Sequence, residues 1–252
     1  MDTVLLPIRA LLVFVGESTL ILLDAARRLF RRPWEIRETI NQMAFVGVAS
    51  VPIVTLTGFF SGAVISLYLS KFLISYGATQ FLGATVGLTV LREIGPVIAG
   101  IMVSARCGSA MAAQIGTMTV TEQVDALRML SVNPTNYLVI PRILAGMLML
   151  PVLTLVAIWA GITGGLLVAM GNGIPYETFI QSFQQFGSPD DLWKGLAKAP
   201  IFGIIVAVVA CQQGLRTTEG AVGVGRATTN SVVISMVLVY VANFVIASLL
   251  FR

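Results

Sequence analysis

Long apolar runs separated by short polar segments dominate the pattern along the chain. Each run is about as long as the roughly 20 residues that a helix needs to cross a bilayer. We therefore predict five membrane-spanning helices in one membrane domain, because no linker or second domain is evident. The domain covers residues 1–252, with the five-span bundle at 43–251, and the predicted spans are 43–70, 81–105, 143–170, 192–211 and 231–251.

The first apolar stretch, about 7–32, has a different pattern. In helical projection its polar residues fall within an arc of roughly 160°, opposite a leucine-rich face. This predicts an amphipathic helix lying in the membrane interface, ended by Pro33 and anchored by Trp34. A signal peptide is not favoured, because the basic cluster follows the apolar run. The residues expected to meet anionic head groups are Arg27, Arg28, Arg31 and Arg32.

Composition agrees with a membrane protein. Only 11% of the 252 residues are charged and 56% are hydrophobic, whereas soluble domains carry about 25% charge. The absence of His and the presence of only two Cys exclude His-based zinc sites, Ser-His-Asp triads and four-thiolate sites. We predict no catalytic residue and no metal site. The net charge of +4 is interpreted as a topological bias rather than as nucleic-acid binding.

The basic residues predict an orientation. A cytoplasmic N-terminus places most of them on the cytoplasmic side, as the positive-inside rule requires, and places the C-terminus outside. Segment 117–137 is then cytoplasmic and segment 171–191 faces outward. The cytoplasmic set is Arg9, Arg27, Arg28, Arg31, Arg32, Arg37, Arg106, Arg128, Arg142, Arg216 and Arg226, against Lys71, Lys194, Lys198 and Arg252 outside.

Two adjacent charges, Arg92 and Glu93, lie at membrane depth in the second run. A central charge costs roughly 2.5–3.5 kcal/mol on insertion scales, so it needs compensation. Pro96 frees a backbone carbonyl nearby, and together these features predict a broken or re-entrant helix that lines a cavity. Two roles remain open for the charges: they meet a polar head group, or they only pin helices together. Lys198 is the candidate counter-ion for Glu93.

Two further segments are candidates for a functional role. Residues 121–130 are predicted as a short cytoplasmic helix, capped by Thr119 or Thr121, and it either docks a partner or is only a solvated loop helix. Its polar face carries Glu122, Asp125 and Arg128, and its apolar contacts come from Val124, Leu127 and Met129. The glycine-rich stretch 220–229 is predicted as a tight cytoplasmic turn rather than a phosphate cradle, because no strand precedes it.

The string LREIGPVIAGIMVSARCGSAMAAQIGTMTVTEQVDALRMLSVNP at 91–134, with VGRATTNSVV at 224–233, resembles the MlaE permease family. These are membrane subunits of bacterial and plastid ABC transporters that move phospholipids or related lipids. The resemblance implies an interfacial helix followed by five spans, similar to the ABCG-type permease fold. It also implies a homodimer with cytoplasmic ATPase subunits beneath and MCE-domain lipid-binding proteins at the outer face. The chain has no phosphate loop of its own, so ATP and Mg would be bound by the ATPase partner.

The resemblance also assigns roles to individual residues. Glu93 matches an acidic residue near the lipid cavity, with Arg92 beside it and Lys198 as its basic neighbour. The acyl chains would lie against the Gly- and Leu-rich first span. The family's coupling helix, which docks into the ATPase, matches Glu122, Gln123, Asp125, Leu127 and Arg128. Signature positions with a structural or coupling role are Pro96, Arg106, Gly108, Gly225 and Arg226.

The implied location is a bacterial inner membrane or a plastid inner envelope. Two other classes of protein stay open on the residues alone. One is a secondary transporter or channel for a small solute, in which Arg92, Glu93 and Lys198 carry ions; the missing inverted repeat argues against it. The other is a purely structural membrane anchor for other subunits.

Overall fold

The structure is a computed structural model that describes residues 2–29 and 35–250. The predictions for Arg31, Arg32, Pro33, Trp34 and Arg252 lie outside these residues. Throughout the described ranges the regular elements are helices, as predicted for an all-α membrane protein. The α-helices are α1 Asp2–Leu29, α2 Ile36–Val46, α3 Val51–Ser75, α4 Leu82–Thr89, α5 Gly95–Val103, α6 Ser109–Val120, α7 Gln123–Met129, α8 Ile140–Gly171, α9 Tyr176–Phe186, α10 Pro189–Leu215 and α11 Gly220–Leu250.

Five helical stretches in the described residues are long and apolar enough to cross a membrane, which confirms the predicted number. Every stretch is longer than its apolar run, because polar residues continue a helix where it leaves the hydrocarbon core. Pro151 lies inside α8 without ending it. The stretches are Ile36–Ser75, Thr79–Val120, Thr135–Gly171, Pro189–Leu215 and Gly220–Leu250.

The prediction of a broken or re-entrant second span is wrong. From Thr79 to Val120 the backbone stays helical, through π-helical segments at Val90–Ile94 and Ser104–Gly108. The first π segment ends at Ile94, two residues before Pro96, whose missing N–H would leave the carbonyl of Arg92, four residues earlier, without a donor in an α-helix. The extra residue in a π turn absorbs this mismatch, so the helical stretch continues to Val120.

The predicted turn at 220–229 is also wrong. Helix α11 begins at Gly220, so the glycine-rich stretch forms its first turns. The change of direction occurs just before it, where Glu219 and Gly220 adopt left-handed backbone angles with φ of 67° and 61°. Each of its three glycines costs a helix about 1 kcal/mol at most, and the apolar span that follows outweighs this cost.

Helix α8 is the central element of the bundle and packs against both α3 and α10. Glycines allow these close approaches. A Cβ on Gly62 of α3 would meet the carbonyl of Gly161, and a Cβ on Gly203 of α10 would meet the carbonyl of Gly146. Backbone therefore touches backbone at both contacts, a packing mode common between membrane helices.

We expect Gly203→Ala to lower the free energy of unfolding in detergent by about 1–3 kcal/mol, because the added methyl group forces α8 and α10 apart. Gly16→Ala is the matched control: Gly16 is an exposed helical glycine with no atom near its missing Cβ. The control should leave stability unchanged or raise it slightly. Unfolding curves for the two variants, measured in the same detergent, would contradict the close α8–α10 contact if they coincided.

Helix α1 lies beside α10 and the π segment Thr135–Val139. Its Glu17 carboxylate accepts a 2.7 Å hydrogen bond from Gln212 of α10. Partial burial raises the pKa of Asp24, but hydrogen bonds from Arg28 and Thr135 and the charges of Arg28 and Arg27 outweigh it, so this pKa lies below its ordinary value. Leu12 and Leu20 are two-thirds exposed, which leaves apolar surface for lipid.

Candidate functional site

The charges predicted at membrane depth form a compact cluster between three spans. Lys198 of α10 donates from Nζ to Glu93 Oε1 at 2.8 Å and to Asn243 Oδ1 of α11 at 3.1 Å. Asn243 Nδ2 donates in turn to Glu93 Oε2 at 2.7 Å. The structure therefore brings Glu93 and Lys198 together as predicted and adds a third member, Asn243.

Lys198 also stabilises the second span. Its Nζ donates at 2.8 Å to the carbonyl of Arg92, the group for which Pro96 offers no N–H. The lysine is 0% exposed, whereas the Glu93 side chain is 37% exposed. A single buried ammonium thus compensates a carboxylate and caps a backbone carbonyl, and this combination explains how the π turn remains stable inside the bundle.

Arg92 points to a different partner. Its Nε and Nη2 both contact Oδ1 of Asp191, at 2.8 and 2.7 Å. Asp191 is 4% exposed and belongs to a capping box at the start of α10, where its Oδ2 accepts from the backbone N–H of Ser188 at 3.1 Å. Adjacent residues on a helix project about 100° apart, so Arg92 and Glu93 engage two different parts of α10.

Both pairs involve residues in the first half of α10, the half that follows α9 in the chain. Asp191 is in the first turn of α10, and Lys198 lies seven residues further along, about 10 Å deeper. The helix continues for another 17 residues to Leu215. The Arg92–Asp191 pair thus lies at the first turn of α10, and the Glu93 cluster lies about two turns further along the helix.

An apolar groove of about 450 Å³ opens beside these pairs. The predicted outer segment 171–191 contributes α9, an amphipathic helix that packs on α4 and forms one wall. The first span does not contribute to the lining; its glycines pack on α8 instead. The groove residues include Leu91 and Leu192, the neighbours of Arg92 and Asp191, together with Ile158, Trp159, Ile180 and Phe183.

The predicted cytoplasmic helix is present as α7, with altered details. Its N-cap residue is Glu122, in a left-handed conformation with φ of 59° and without a side-chain cap bond, so Thr119 and Thr121 do not cap it. Asp125 accepts from Arg128 at 2.7 Å, and both are exposed. Val124 is 3% exposed and anchors the helix.

Of the three residues predicted to supply apolar contacts, Met129 makes little contact with the described chain. Met129 is 87% exposed and the following Leu130 is 73% exposed. Leu127 is half-buried and Gln123 exposed. One end of α7 thus presents a two-residue apolar tip, formed by Met129 and Leu130, that nothing in the described chain covers.

The remaining signature positions lie apart from the charged cluster. Arg106 donates to the Phe45 carbonyl and to Ser50 Oγ, both at 3.2 Å, and so ties the second span to the first. The Gly108 carbonyl accepts from Ser231 of α11 at 3.3 Å. Arg226 forms a 3.2 Å ion pair with Glu219, and both side chains are exposed. Gly225 is exposed on the same helix, with no atom near its missing Cβ.

Sequence reasoning missed Asp191 and Asn243, although each left a signal. Ser188 and Asp191 have the spacing of a capping box at the start of an apolar run. Asn243 is an isolated amide in an otherwise apolar span, and a polar side chain at that depth needs a partner. The geometry that joins them to Arg92 and Glu93 depends on which spans are neighbours.

Comparison with known proteins places this sequence in a family. The sequence model for "Permease MlaE" matches residues 39–249. A Rickettsia bellii protein described as "Probable ABC transporter permease protein" is 39% identical over 94% of the chain and 92% of its own length. A Synechocystis protein with the same description is 42% identical over 86% and 82%, respectively.

A plant protein is also similar. Protein TRIGALACTOSYLDIACYLGLYCEROL 1, chloroplastic, from Arabidopsis thaliana is 36% identical over 86% of the chain and 62% of its own length. The family match covers all five spans, the charged cluster and α7. The chain therefore belongs to the MlaE permease family and is a multi-pass ABC transporter permease, a transport subunit.

Proposed function

We propose that this permease moves a phospholipid or related lipid between the membrane and an MCE-type lipid-binding protein at the outer face. The observation that carries the proposal is the position of an ion-paired polar cluster directly beside an apolar groove at the same membrane level. A lipid has the same two-part chemistry, with a polar head and apolar chains. The name of the Arabidopsis relative, which contains trigalactosyldiacylglycerol, supports a lipid substrate.

Within this site the charged residues have different roles. Glu93 and Lys198 hold three spans together, so their charges serve mainly to pin helices. Arg92 is the residue that meets the head group, because its side chain is 39% exposed at the membrane surface and its neighbour Leu91 lines the groove. The acyl chains lie in the groove along α8 and α9, where the lining is almost entirely apolar.

The permease acts as a homodimer. Helix α11 is the least buried of the five spans, and it carries a continuous apolar stripe at helical spacing. In an isolated chain this stripe faces lipid; in the assembly it packs on the second copy and closes the cavity between them. The stripe comprises Val233, Val237, Tyr240 and Phe244, each more than half exposed.

A separate ATPase subunit drives the cycle and binds ATP and Mg. Segment α7 is the coupling helix: Val124 fixes it to the bundle, while Glu122, Asp125 and Arg128 and the apolar tip face outward. Motion of the ATPase is then transmitted to α6, which continues directly into the span that carries Glu93. In this arrangement the N-terminus is cytoplasmic and the C-terminus lies outside, in a bacterial inner membrane or a plastid inner envelope.

The decisive test is reconstitution of the permease with its ATPase and MCE-type protein in vesicles that contain a fluorescent phospholipid. We expect ATP-dependent transfer of the lipid to the MCE-type protein. Arg128→Glu, which replaces an exposed coupling charge, should reduce transfer at least tenfold while ATP hydrolysis continues. Lipid transfer that is independent of ATP, or an ion current through the permease alone, would replace this proposal by a channel or secondary transporter.

A further inference from the structure

A second polar site lies at the opposite end of the bundle, around Arg142 of α8. Arg142 is the third residue of this 32-residue helix, which spans about 48 Å. Since the hydrocarbon core is only about 30 Å thick, the first turn of α8 lies at the level of the lipid head groups. Arg142 is nevertheless 4% exposed, although arginines are seldom buried without a counter-charge.

The protein supplies hydrogen-bond acceptors for only part of this buried guanidinium group. Nη1 donates to the Leu138 carbonyl at 2.6 Å, and Nη2 donates to Gln114 Oε1 at a long 3.3 Å. Nε is buried with no hydrogen-bond partner. Both acceptors are neutral, and none of the carboxylates in residues 2–29 and 35–250 forms an ion pair with Arg142. A buried guanidinium in this state favours binding of an external anion.

Next to this cation the surface forms an open groove of about 480 Å³. Its mouth carries neutral donors, the amides of Gln114 and Gln123 and the hydroxyl of Thr117, all of which are exposed. Acidic side chains do not contribute to the described lining. Guanidinium, amide and hydroxyl groups are donors that phosphate oxygens accept from, and the positive charge of the guanidinium suits an anion.

We propose that this groove binds a phosphate group, supplied by an anionic phospholipid of the leaflet in contact with the α6–α7 end of the bundle. The groove connects α6, α7 and α8, so an occupied site ties the coupling helix to the central helix of the bundle. The proposal shares with the proposed function only the assignment of α7 as the coupling helix. It concerns a site at the far end of the bundle from Arg92 and Glu93.

Binding is measured by calorimetric titration of the purified chain in a non-ionic detergent with dihexanoyl phosphatidylglycerol. We expect one saturable site per chain. Thr117→Glu places a carboxylate at the mouth of the groove without disturbing a buried contact, and it should weaken binding at least tenfold. Thr229→Glu is the matched control: Thr229 is an exposed helical threonine near the same end of the bundle and outside the groove. It should change affinity less than twofold.

Arg142→Lys tests the guanidinium itself, because it keeps the charge but removes the planar donors; we expect at least a tenfold loss. Competition separates the two sources of phosphate: inorganic phosphate displaces the lipid if the free ion is sufficient, and fails to do so if the site needs the whole lipid. Absence of saturable binding, equal weakening by both Glu variants, or equal binding of dihexanoylglycerol would overturn the proposal. These outcomes do not depend on transport, so they are distinguishable from failure of the proposed function.

Discussion

Glu93→Ala is expected to lower the free energy of unfolding by about 3 kcal/mol, because it leaves Lys198 buried without its carboxylate. Breaking a buried pair usually costs 3–5 kcal/mol, and the lower end applies here because the Glu93 side chain is 37% exposed. The Arg92 carbonyl and Asn243 still accept from Lys198, but neither is charged. Unfolding in mixed detergent and SDS micelles measures the effect.

Removing both charges should restore most of the stability that Glu93→Ala loses. In the double variant Glu93→Gln with Lys198→Met, an amide and a thioether of similar size replace the pair, so no uncompensated charge remains in the bundle. We expect stability within about 1 kcal/mol of the original chain, and a coupling energy of at least about 2 kcal/mol in the cycle completed by the single variants Glu93→Gln and Lys198→Met. Lys71→Met replaces an exposed lysine of the first span and should change stability by less than about 0.5 kcal/mol.

The same variants test whether Glu93 and Lys198 only pin helices, as proposed, or also meet the head group. If Glu93 and Lys198 only pin helices, the double variant should transport lipid at close to the original rate. If their charges meet the head group, transport stays low although stability has returned. Equal stability of the Glu93→Ala variant and the original chain, or additive losses in the double variant, would contradict the buried pair itself.

The hydrophobic pattern predicts the five spans because apolar run length is set directly by bilayer thickness. It does not predict where each helix stops, since the ends lie in water and head groups, where polar residues continue a helix at little cost. The glycine-rich start of α11 illustrates this limit: glycine predicts a turn locally, yet the turn falls just before it, at Glu219 and Gly220. Tertiary context overrides local propensity there.

The candidate site could be predicted in part for a similar reason. Glu93 and Lys198 were identifiable because isolated charges at membrane depth require partners. The sequence does not predict the Arg92–Asp191 pair, because the two residues are 99 positions apart. They meet only because α10 begins next to the π segment of the second span. A π turn shifts the side-chain register by one residue, and a regular helical projection does not anticipate it.

The second large effect is expected at the apolar tip of α7. Met129→Asp combined with Leu130→Asp should weaken binding of the ATPase subunit by a factor of about 30 or more, equivalent to about 2 kcal/mol. Both side chains are exposed in the isolated chain, at 87% and 73%. In the complex they would be buried, so a carboxylate at either position would lose its water without gaining a partner.

The affinity is measured by immobilising the purified permease on a sensor surface and titrating the ATPase over it. The fold should survive, because Val124 rather than the tip anchors α7 to the bundle; an unchanged thermal unfolding midpoint checks this. Val222→Asp is the matched control, since Val222 is 69% exposed near the same end of the bundle, in α11. An ATPase that binds the tip variant as tightly as the Val222 variant would show that docking occurs elsewhere and that α7 is a solvated loop helix.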